Sequence, residues 1–343
     1  MRAGSTELGF RLPVPQASDT VAIPTWLPRQ NRGSQMSDES RYAPSAVPEA
    51  HVDLDTDIAA DERERIEQSV AAMAGHSVEL RERQREVDAH AGALDAAIMA
   101  PLTKLLEADS AAREEISSAI AQVQRDAERF QPERLAFPNV RAQDLLFDLA
   151  VGGSALQVFG TPFHFAWHWD TGSPPAGLPL LDRPTGSIGV NRRTGTTGNR
   201  QLSQHAGFGV SLSTDRARTV TARSSRRTSF WYNVGSTYPG GAATVEGGTE
   251  MTVMENGTLI RFKDDRVFRK RVSAHEHVYV PADGFATGNT IEVSWTMIPG
   301  SRYEFNVGAW VWCENQQPSL FADTSFATAD VQAKILALTI SEP

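Results

Sequence analysis

The chain has 343 residues, of which 40% are hydrophobic, a formal net charge of −9 and a single cysteine, Cys313. This length and hydrophobic content suit about two domains of roughly 100–200 residues each. One cysteine excludes an intramolecular disulfide and a cysteine-rich zinc module. The sequence has no apolar run of about 18 residues, which would predict a transmembrane segment. It also lacks the apolar stretch of a secretory signal, so we expect a cytoplasmic protein or one released without a cleaved signal peptide.

The negative charge belongs to one segment of the chain. Between Asp53 and Leu135 there are 19 acidic and 10 basic residues, a difference of −9 that equals the charge of the whole chain. A general nucleic-acid binder carries a basic surface instead. We therefore expect no nucleic-acid partner.

Residues 1–52 form a proline-rich arm. Six prolines are spread through this segment, and its apolar residues show no periodicity. Such a stretch buries too little apolar surface to offset the entropy of ordering it. We predict that the arm is disordered.

Residues 53–135 have the periodicity of helices. Two rows of residues spaced by seven form a heptad seam, which is typical of a coiled coil. Pro101 predicts a break, because proline fits the first turn of a helix but disrupts its interior. We predict a coiled-coil-like helical hairpin that folds on itself or pairs with other chains. The rows of the first helix are Ile66, Met73, Leu80, Val87, Leu94 and Val70, Ser77, Gln84, Ala91, Ile98; those of the second are Ile116, Val123, Phe130 and Ile120, Ala127.

A connector is predicted at residues 136–154. In residues 155–343, apolar and polar residues alternate with the period of two that is typical of β-strands. At least nine short runs are rich in β-branched and aromatic residues and are bounded by Gly, Pro, Asn or Asp. They predict an antiparallel, jelly-roll-like β-sandwich, so that the fold class is α+β and multidomain. Asn256-Gly257 predicts a tight type I′ hairpin. Residues 171–201, rich in Gly and Pro, are interpreted as a long loop.

Two strands carry residues that could bind a metal ion. In FHFAWHWD, residues 163–170, alternation places the aromatic rings on one face and His168 and Asp170 on the other, about 6.6 Å apart. The stretch AHEHVYV gives His275 and His277 the same spacing on another strand. If the strands are neighbours, the four side chains could bind Zn²⁺, Fe²⁺ or Mn²⁺. Otherwise they are surface or hydrogen-bonded residues of ordinary strands.

Tryptophan and arginine side chains of the sandwich suggest a binding surface. Residues 214–271 contain eleven basic and six acidic side chains, and six of the seven tryptophans lie beyond residue 160. Exposed tryptophans stack on sugars or anchor protein interfaces. If both faces of the sandwich are covered, the same tryptophans are core residues. The candidate ligand-binding residues are Trp231, Trp310, Trp312, Arg223, Arg226 and Arg227.

These features favour a non-enzymatic, self-assembling binding or structural protein. Its helices would set a homo-oligomer, and its sandwich would present the Trp/Arg surface to a protein or glycan partner. One alternative is a metal-dependent enzyme that uses the His/Asp site. Another is a toxin or injected effector that acts on membranes, although acidic helices with narrow seams fit a membrane surface poorly. No catalytic residue is predicted, and no cofactor other than the divalent metal ion.

Overall fold

A computed structural model describes most of the chain from residue 48 onwards. It covers residues 48–54, 58–112, scattered helical residues between 114 and 125, 135–137 and 156–342, apart from gaps at 174–175, 197, 238–240, 274–275, 286–288 and 318–324. The elements are β1 (His51–Leu54), α1 (Ala60–Ala108), β2 (Leu156–Phe159), β3 (Phe165–Thr171), β4 (Leu180–Asp182), β5 (Ser187–Arg193), β6 (Arg200–Ser213), β7 (Arg218–Ser236), β8 (Ala242–Glu255), β9 (Thr258–Ser273), β10 (Glu276–Val280), β11 (Asn289–Met297), β12 (Arg302–Gln316) and β13 (Ser325–Ser341).

The strands form two antiparallel sheets. Sheet A has the order β1-β3-β6-β12-β8-β9. Sheet B has the order β10-β7-β13-β5-β4, and in addition β11 pairs with β7 and β2 pairs with β13. The prediction of an antiparallel β domain in the C-terminal half is therefore confirmed.

One apolar core lies between the two sheets. It takes Val253 and Val307 from sheet A and Val331 from sheet B, and all three side chains are fully buried. Alternate residues of each strand point into this core, so each sheet has a core face and an opposite outer face. Cys313 also lies in the core, and burial raises the pKa of its thiol to about 12. The thiol is therefore protonated at neutral pH.

Helix α1 forms a third layer on the outer face of sheet A. It has 49 residues, which corresponds to about 73 Å at 1.5 Å per residue. Acidic side chains in its first turn, Asp61 and Glu62, favour its start by interacting with the helix dipole. Its buried residues pack with Phe165, Trp167 and Trp169 of FHFAWHWD, which therefore lie beneath the helix. Phe163 lies instead in the core between the sheets, so the predicted aromatic face is wrong for this residue. The buried members of this second cluster are Leu54, Ile66, Val70, Met73, Ala74, Phe165, Trp167, Trp169 and Met254.

The heptad interpretation is wrong for the first half of α1. Ile66, Val70 and Met73 pack against sheet A rather than a second helix. Ser77, a polar position of the seam, forms a hydrogen bond of 3.2 Å with His205 of β6. An apolar stripe that covers a sheet has nearly the same period as one that covers a helix, so the sequence did not distinguish the two.

The predicted break at Pro101 is also wrong, because α1 continues through Pro101 to Ala108. An interior proline removes one backbone hydrogen bond without always ending the helix. The chain leaves helical geometry at Asp109, whose Oδ1 accepts hydrogen bonds from the backbone N–H groups of Ala111 and Ala112 at 3.0 and 3.1 Å. Asp109 therefore caps the next helical residues. The second seam, from Ile116 to Phe130, lies outside the described residues, and the structure does not support the hairpin.

Several predicted boundaries change. Residues 51 and 52 of the predicted arm belong to β1, while residues 1–47 lie outside the described residues. The predicted loop at 171–201 contains β4 and β5, because Ile188 and Val190 place SIGV in the core despite its glycine. Most of the connector at 136–154 lies outside the described residues.

The hairpin between β8 and β9 is confirmed. Asn256 and Gly257 have φ angles of 49° and 82°, the positive values that a type I′ turn requires. The turn brings the charged residues of β9 beside those of β8, with Glu250 directly opposite Asp264.

Two facing glycines make room for an aromatic ring under the helix. Gly207 of β6 and Gly308 of β12 are direct partners in sheet A, and the ring of Trp167 lies over both. A Cβ atom on Gly207 would collide with this ring and with the carbonyl oxygen of Val307. Any larger residue at these positions would therefore lift Trp167 off the sheet.

We expect Gly207→Ala to lower the free energy of unfolding by about 2–3 kcal/mol, because it overpacks a site bounded by backbone and a buried indole. Gly75→Ala in α1 is the matched control, since nothing lies within 4 Å of its added Cβ. The control should be neutral or stabilising by up to about 1 kcal/mol. Urea unfolding measures both variants, and equal effects would contradict this role of Gly207.

Candidate functional site

The structure separates the residues of the predicted metal site. His168 and Asp170 lie on β3 of sheet A, whereas His277 lies on β10, an edge strand of sheet B. His277 forms a hydrogen bond of 2.7 Å with Asn233 of β7. His275 lies outside the described residues. Within the described part of the chain, no group of three or more His, Cys, Asp or Glu side chains is arranged to hold a metal ion.

The predicted Trp/Arg surface is likewise divided among three places. Trp310 and Trp312 lie buried beneath α1 on the outer face of sheet A. Arg226 is fully buried and crosses from sheet B to an ion pair with Asp265 of β9. The others, Trp231, Arg223 and Arg227, share the outer face of sheet B, where Arg223 pairs with Glu292 at 2.9 Å.

A row of α1 side chains spaced by four contacts sheet A through polar groups. Arg65 pairs with the buried carboxylate of Glu304 at 2.7 Å, and Ser69 donates a hydrogen bond to the same group at 3.1 Å. Burial raises the pKa of Glu304, while Arg65 opposes this shift. Further along the row, Ser77 and Arg81 contact sheet A in the same way.

The end of this row encloses a polar cleft of about 250 Å³ between α1 and sheet A. Its lining combines aromatic rings, two carboxylates, two guanidinium groups and an imidazole. We call it the helix–sheet cleft. It is lined by Ser77, Leu80, Arg81, Gln84, His205, Glu250, Phe262, Asp264, Arg266 and Trp310.

Arg81 is the main helix contribution to the helix–sheet cleft. Its guanidinium lies 4.6 Å from the ring centre of Trp310 and 5.0 Å from that of Trp312, within the range of cation–π attraction. It also pairs at 3.1 Å with Glu246, a buried carboxylate that has further ion pairs with Arg266 and Arg269. The positive charge on this side of the cleft is therefore partly neutralised by Glu246.

The floor of the helix–sheet cleft contains a buried imidazole–carboxylate pair. His205 and Glu250 are 2.9 Å apart and both are at least 96% shielded from solvent at the side chain. The imidazole also stacks at 4.9 Å on Trp169, which in turn stacks on Trp167. This stack and the hydrogen bond from Ser77 hold the ring in place, so Glu250 has a fixed position.

Asp264 supplies the second carboxylate of the helix–sheet cleft. It is an exposed residue of edge strand β9, but its Oδ1 accepts a hydrogen bond of 3.0 Å from Nε1 of Trp310. Desolvation, together with the charge of Glu250, raises the pKa of Asp264 from 3.8 to about 6. Asp264 therefore gains or loses its proton in the mildly acidic range.

The sequence predicted only Trp310 among these residues. His205, Glu250 and Asp264 lie at alternating polar positions of β6, β8 and β9, and such positions are usually interpreted as solvent-facing. One signal was available in the sequence. In GGTEMTVME, Glu250 stands within a run of β-branched and apolar residues, and such a run indicates a strand that is covered on both faces.

We expect the free energy of unfolding to fall as the pH rises from about 4 to about 6, because Asp264 loses its proton in this range. Its raised pKa means that the folded protein holds this proton more tightly, so its contribution is fully present below about pH 4 and is lost as the pH rises through about 6. Asp264→Asn cannot ionise and should remove this part of the pH dependence. Urea unfolding at several pH values measures the difference. Asp215→Asn, on an exposed turn, is the control, and parallel wild-type and Asp264→Asn curves would exclude this effect.

Comparisons with known proteins leave the function open. No family model and no curated protein matches the chain. Similar solved structures include a family 35 carbohydrate binding module from Clostridium thermocellum, at 9% identity and a TM-score of 0.17, covering 52% of this chain and 98% of that one. Another is the enzymatically active domain of Bacteriophage CBA120 tailspike protein 4, at 12% identity and a TM-score of 0.16, covering 53% of this chain and 19% of that one. With TM-scores this low, the function has to be derived from the chain itself. None of the described helices is long and apolar enough to cross a membrane.

Proposed function

We propose that this protein is a non-enzymatic binding protein that takes a neutral, polyhydroxylated ligand, of the saccharide class, in the helix–sheet cleft. The observation that supports this proposal is the convergence of Glu250, Asp264, Arg81 and Arg266 around the ring of Trp310. Carboxylates accept hydrogen bonds and guanidinium groups donate them in pairs, which suits adjacent hydroxyl groups. Aromatic faces suit the apolar faces of sugars.

The charge balance of the helix–sheet cleft favours a neutral ligand over a phosphate or an acidic glycan. Arg81 and Arg266 both pair with Glu246, and Glu250 pairs with His205. Asp264 adds a further carboxylate, and burial together with Glu250 raises its pKa more than Arg81 and Arg266 lower it. An anion would therefore meet carboxylates as well as arginines.

The volume of the helix–sheet cleft also limits the ligand. At about 250 Å³ it is slightly smaller than the roughly 300–1,000 Å³ that is typical of small-molecule sites. One or two sugar units at the end of a longer chain fit this size. Two of the polar contacts, Arg81 and Gln84, come from α1, so the ligand would bridge the helix and the sheet.

Hydrolysis of the bound saccharide is a second candidate function, supported by the pair Glu250 and Asp264. These side chains are directly opposite on neighbouring strands, which places their Cβ atoms about 4.5–5.5 Å apart. Glycosidases use two carboxyl groups whose environments separate their pKa values. The raised pKa of Asp264 fits the acid, and Glu250, which is paired with His205, would be the second carboxyl group.

A saccharide screen by ligand-observed NMR tests the proposal. We expect binding to the wild-type protein and a loss of affinity of at least tenfold, about 1.4 kcal/mol, in both Glu250→Gln and Asp264→Asn. Glu292→Gln, on exposed strand β11, is the control and should bind normally. Binding that is unchanged in both cleft variants would rule out this site. A time course of the same spectra distinguishes binding alone from cleavage, since only a hydrolase would produce new anomeric signals.

Self-association through the second half of α1 is a separate part of the proposed function. The helix continues for 24 residues after Gln84, and the heptad row that includes Gln84 and Ile98 reaches Leu105, which is 68% exposed. An exposed leucine in an apolar row favours contact with another copy of the row. The assembly would then carry several copies of the helix–sheet cleft, and weak binding at each copy would add up to tighter binding overall.

Light scattering after size exclusion tests the self-association. We expect a multiple of the 37.4 kDa chain mass for the wild type and a shift towards monomer for Leu105→Glu, because a charge in the seam is costly to bury. Ala97→Glu adds the same charge at an exposed position outside both rows and should leave the mass unchanged. A monomeric wild type would contradict the proposed assembly.

A further inference from the structure

Two histidines meet at the free edge of sheet A. His51 of β1 is the direct antiparallel partner of His168 of β3, and their ring centres are 4.8 Å apart with an angle of 32° between the planes. His51 is exposed and His168 is partly buried. Both rings are therefore within reach of one small ion that arrives from solvent.

The same face carries two carboxylates. Alternation places Asp53 on the face of His51 and Asp170 on the face of His168, each two residues further along its strand. Asp170 already accepts a hydrogen bond from the backbone N–H of Ala176 at 2.7 Å and lies 3.6 Å from Arg192. Asp53 is exposed and lies on the other side of the histidine pair from Asp170, because the two strands run antiparallel.

We propose that His51 and His168 bind one divalent transition metal ion, of the Zn²⁺, Cu²⁺ or Ni²⁺ class, at this edge, with water completing the coordination. Directly opposite side chains of an antiparallel pair have Cβ atoms about 4.5–5.5 Å apart. This separation allows two imidazoles to direct one nitrogen each at an ion with bonds of about 2.0–2.1 Å. Imidazole is the side chain that these metals share as a preferred ligand.

This site differs from the one that the sequence suggested. His168 is retained, but its partner is His51 on the neighbouring strand β1 rather than His277 on β10. With two histidines as its protein ligands, the ion keeps open positions for water. Open positions are typical of sites that exchange or activate a bound group, whereas structural zinc sites are closed.

Titration calorimetry with ZnCl₂ on the tag-free, EDTA-dialysed full chain at about pH 7.5 tests the proposal. We expect one ion per chain, with His51→Ala and His168→Ala each weakening binding by at least tenfold. His277→Ala is the matched control and should bind as the wild type does, since its ring is engaged with Asn233. Because His51 is exposed, its variant should fold normally, which far-UV circular dichroism checks.

Electron paramagnetic resonance of the Cu²⁺-loaded chain gives a second readout that does not depend on affinity. We expect hyperfine coupling to two imidazole nitrogens in the wild type and to one in His51→Ala. No zinc binding by the wild type would overturn the assignment. So would binding that survives in both His51→Ala and His168→Ala, or an equal loss in His277→Ala.

Discussion

The buried carboxylates on the outer face of sheet A are neutralised in part by side chains of α1, and these ion pairs help to fix where the helix lies. A buried charge whose partner is removed costs about 3–5 kcal/mol. Arg65 faces Glu304, Arg81 faces Glu246, and Ser77 supports the histidine that faces Glu250. Shifting the helix by one turn would leave Glu304 without Arg65 and would remove one of the three arginines that pair with Glu246. Apolar contacts alone, such as those of Val70 and Met73, would tolerate a shift more easily.

The helix–sheet cleft depends on this position of α1 on sheet A. Arg81 is both the last paired cation of the contacting row and a wall of the cleft, so the helix cannot move without changing the site. A ligand that contacts Arg81 and Glu250 together would bind only when the helix is seated. Ligand binding and helix attachment would then stabilise each other by the same free energy, as linkage requires.

Local features of the fold were predictable from the sequence, while its long-range features were not. The Asn256-Gly257 turn and most of the longer strands depend on neighbouring residues, and the sequence predicted them, although it missed β1, β4 and β5. The partner of the helical stripe was not predictable, because Ile66 and Val70 have the same spacing whether a sheet or a helix covers them. Alternation showed correctly that His168 and Asp170 share a face of β3. It carries no information on which strand lies beside β3, so the pairing with His51 became visible only in the sheet order.

The order of the strands along the chain has a consequence for biosynthesis. In sheet A, β12 lies between β6 and β8, and in sheet B, β13 lies between β7 and β5, so the central strand of each sheet follows all of its neighbours in the chain. During synthesis, the strands that flank β12 and β13 therefore leave the ribosome before β12 and β13 have been made. Until then one long edge each of β7 and β8 lacks its partner, and open edges of this kind are prone to mispairing. Completion of both sheets must wait for residues 302–341, so the final pairing of the strands is a late event.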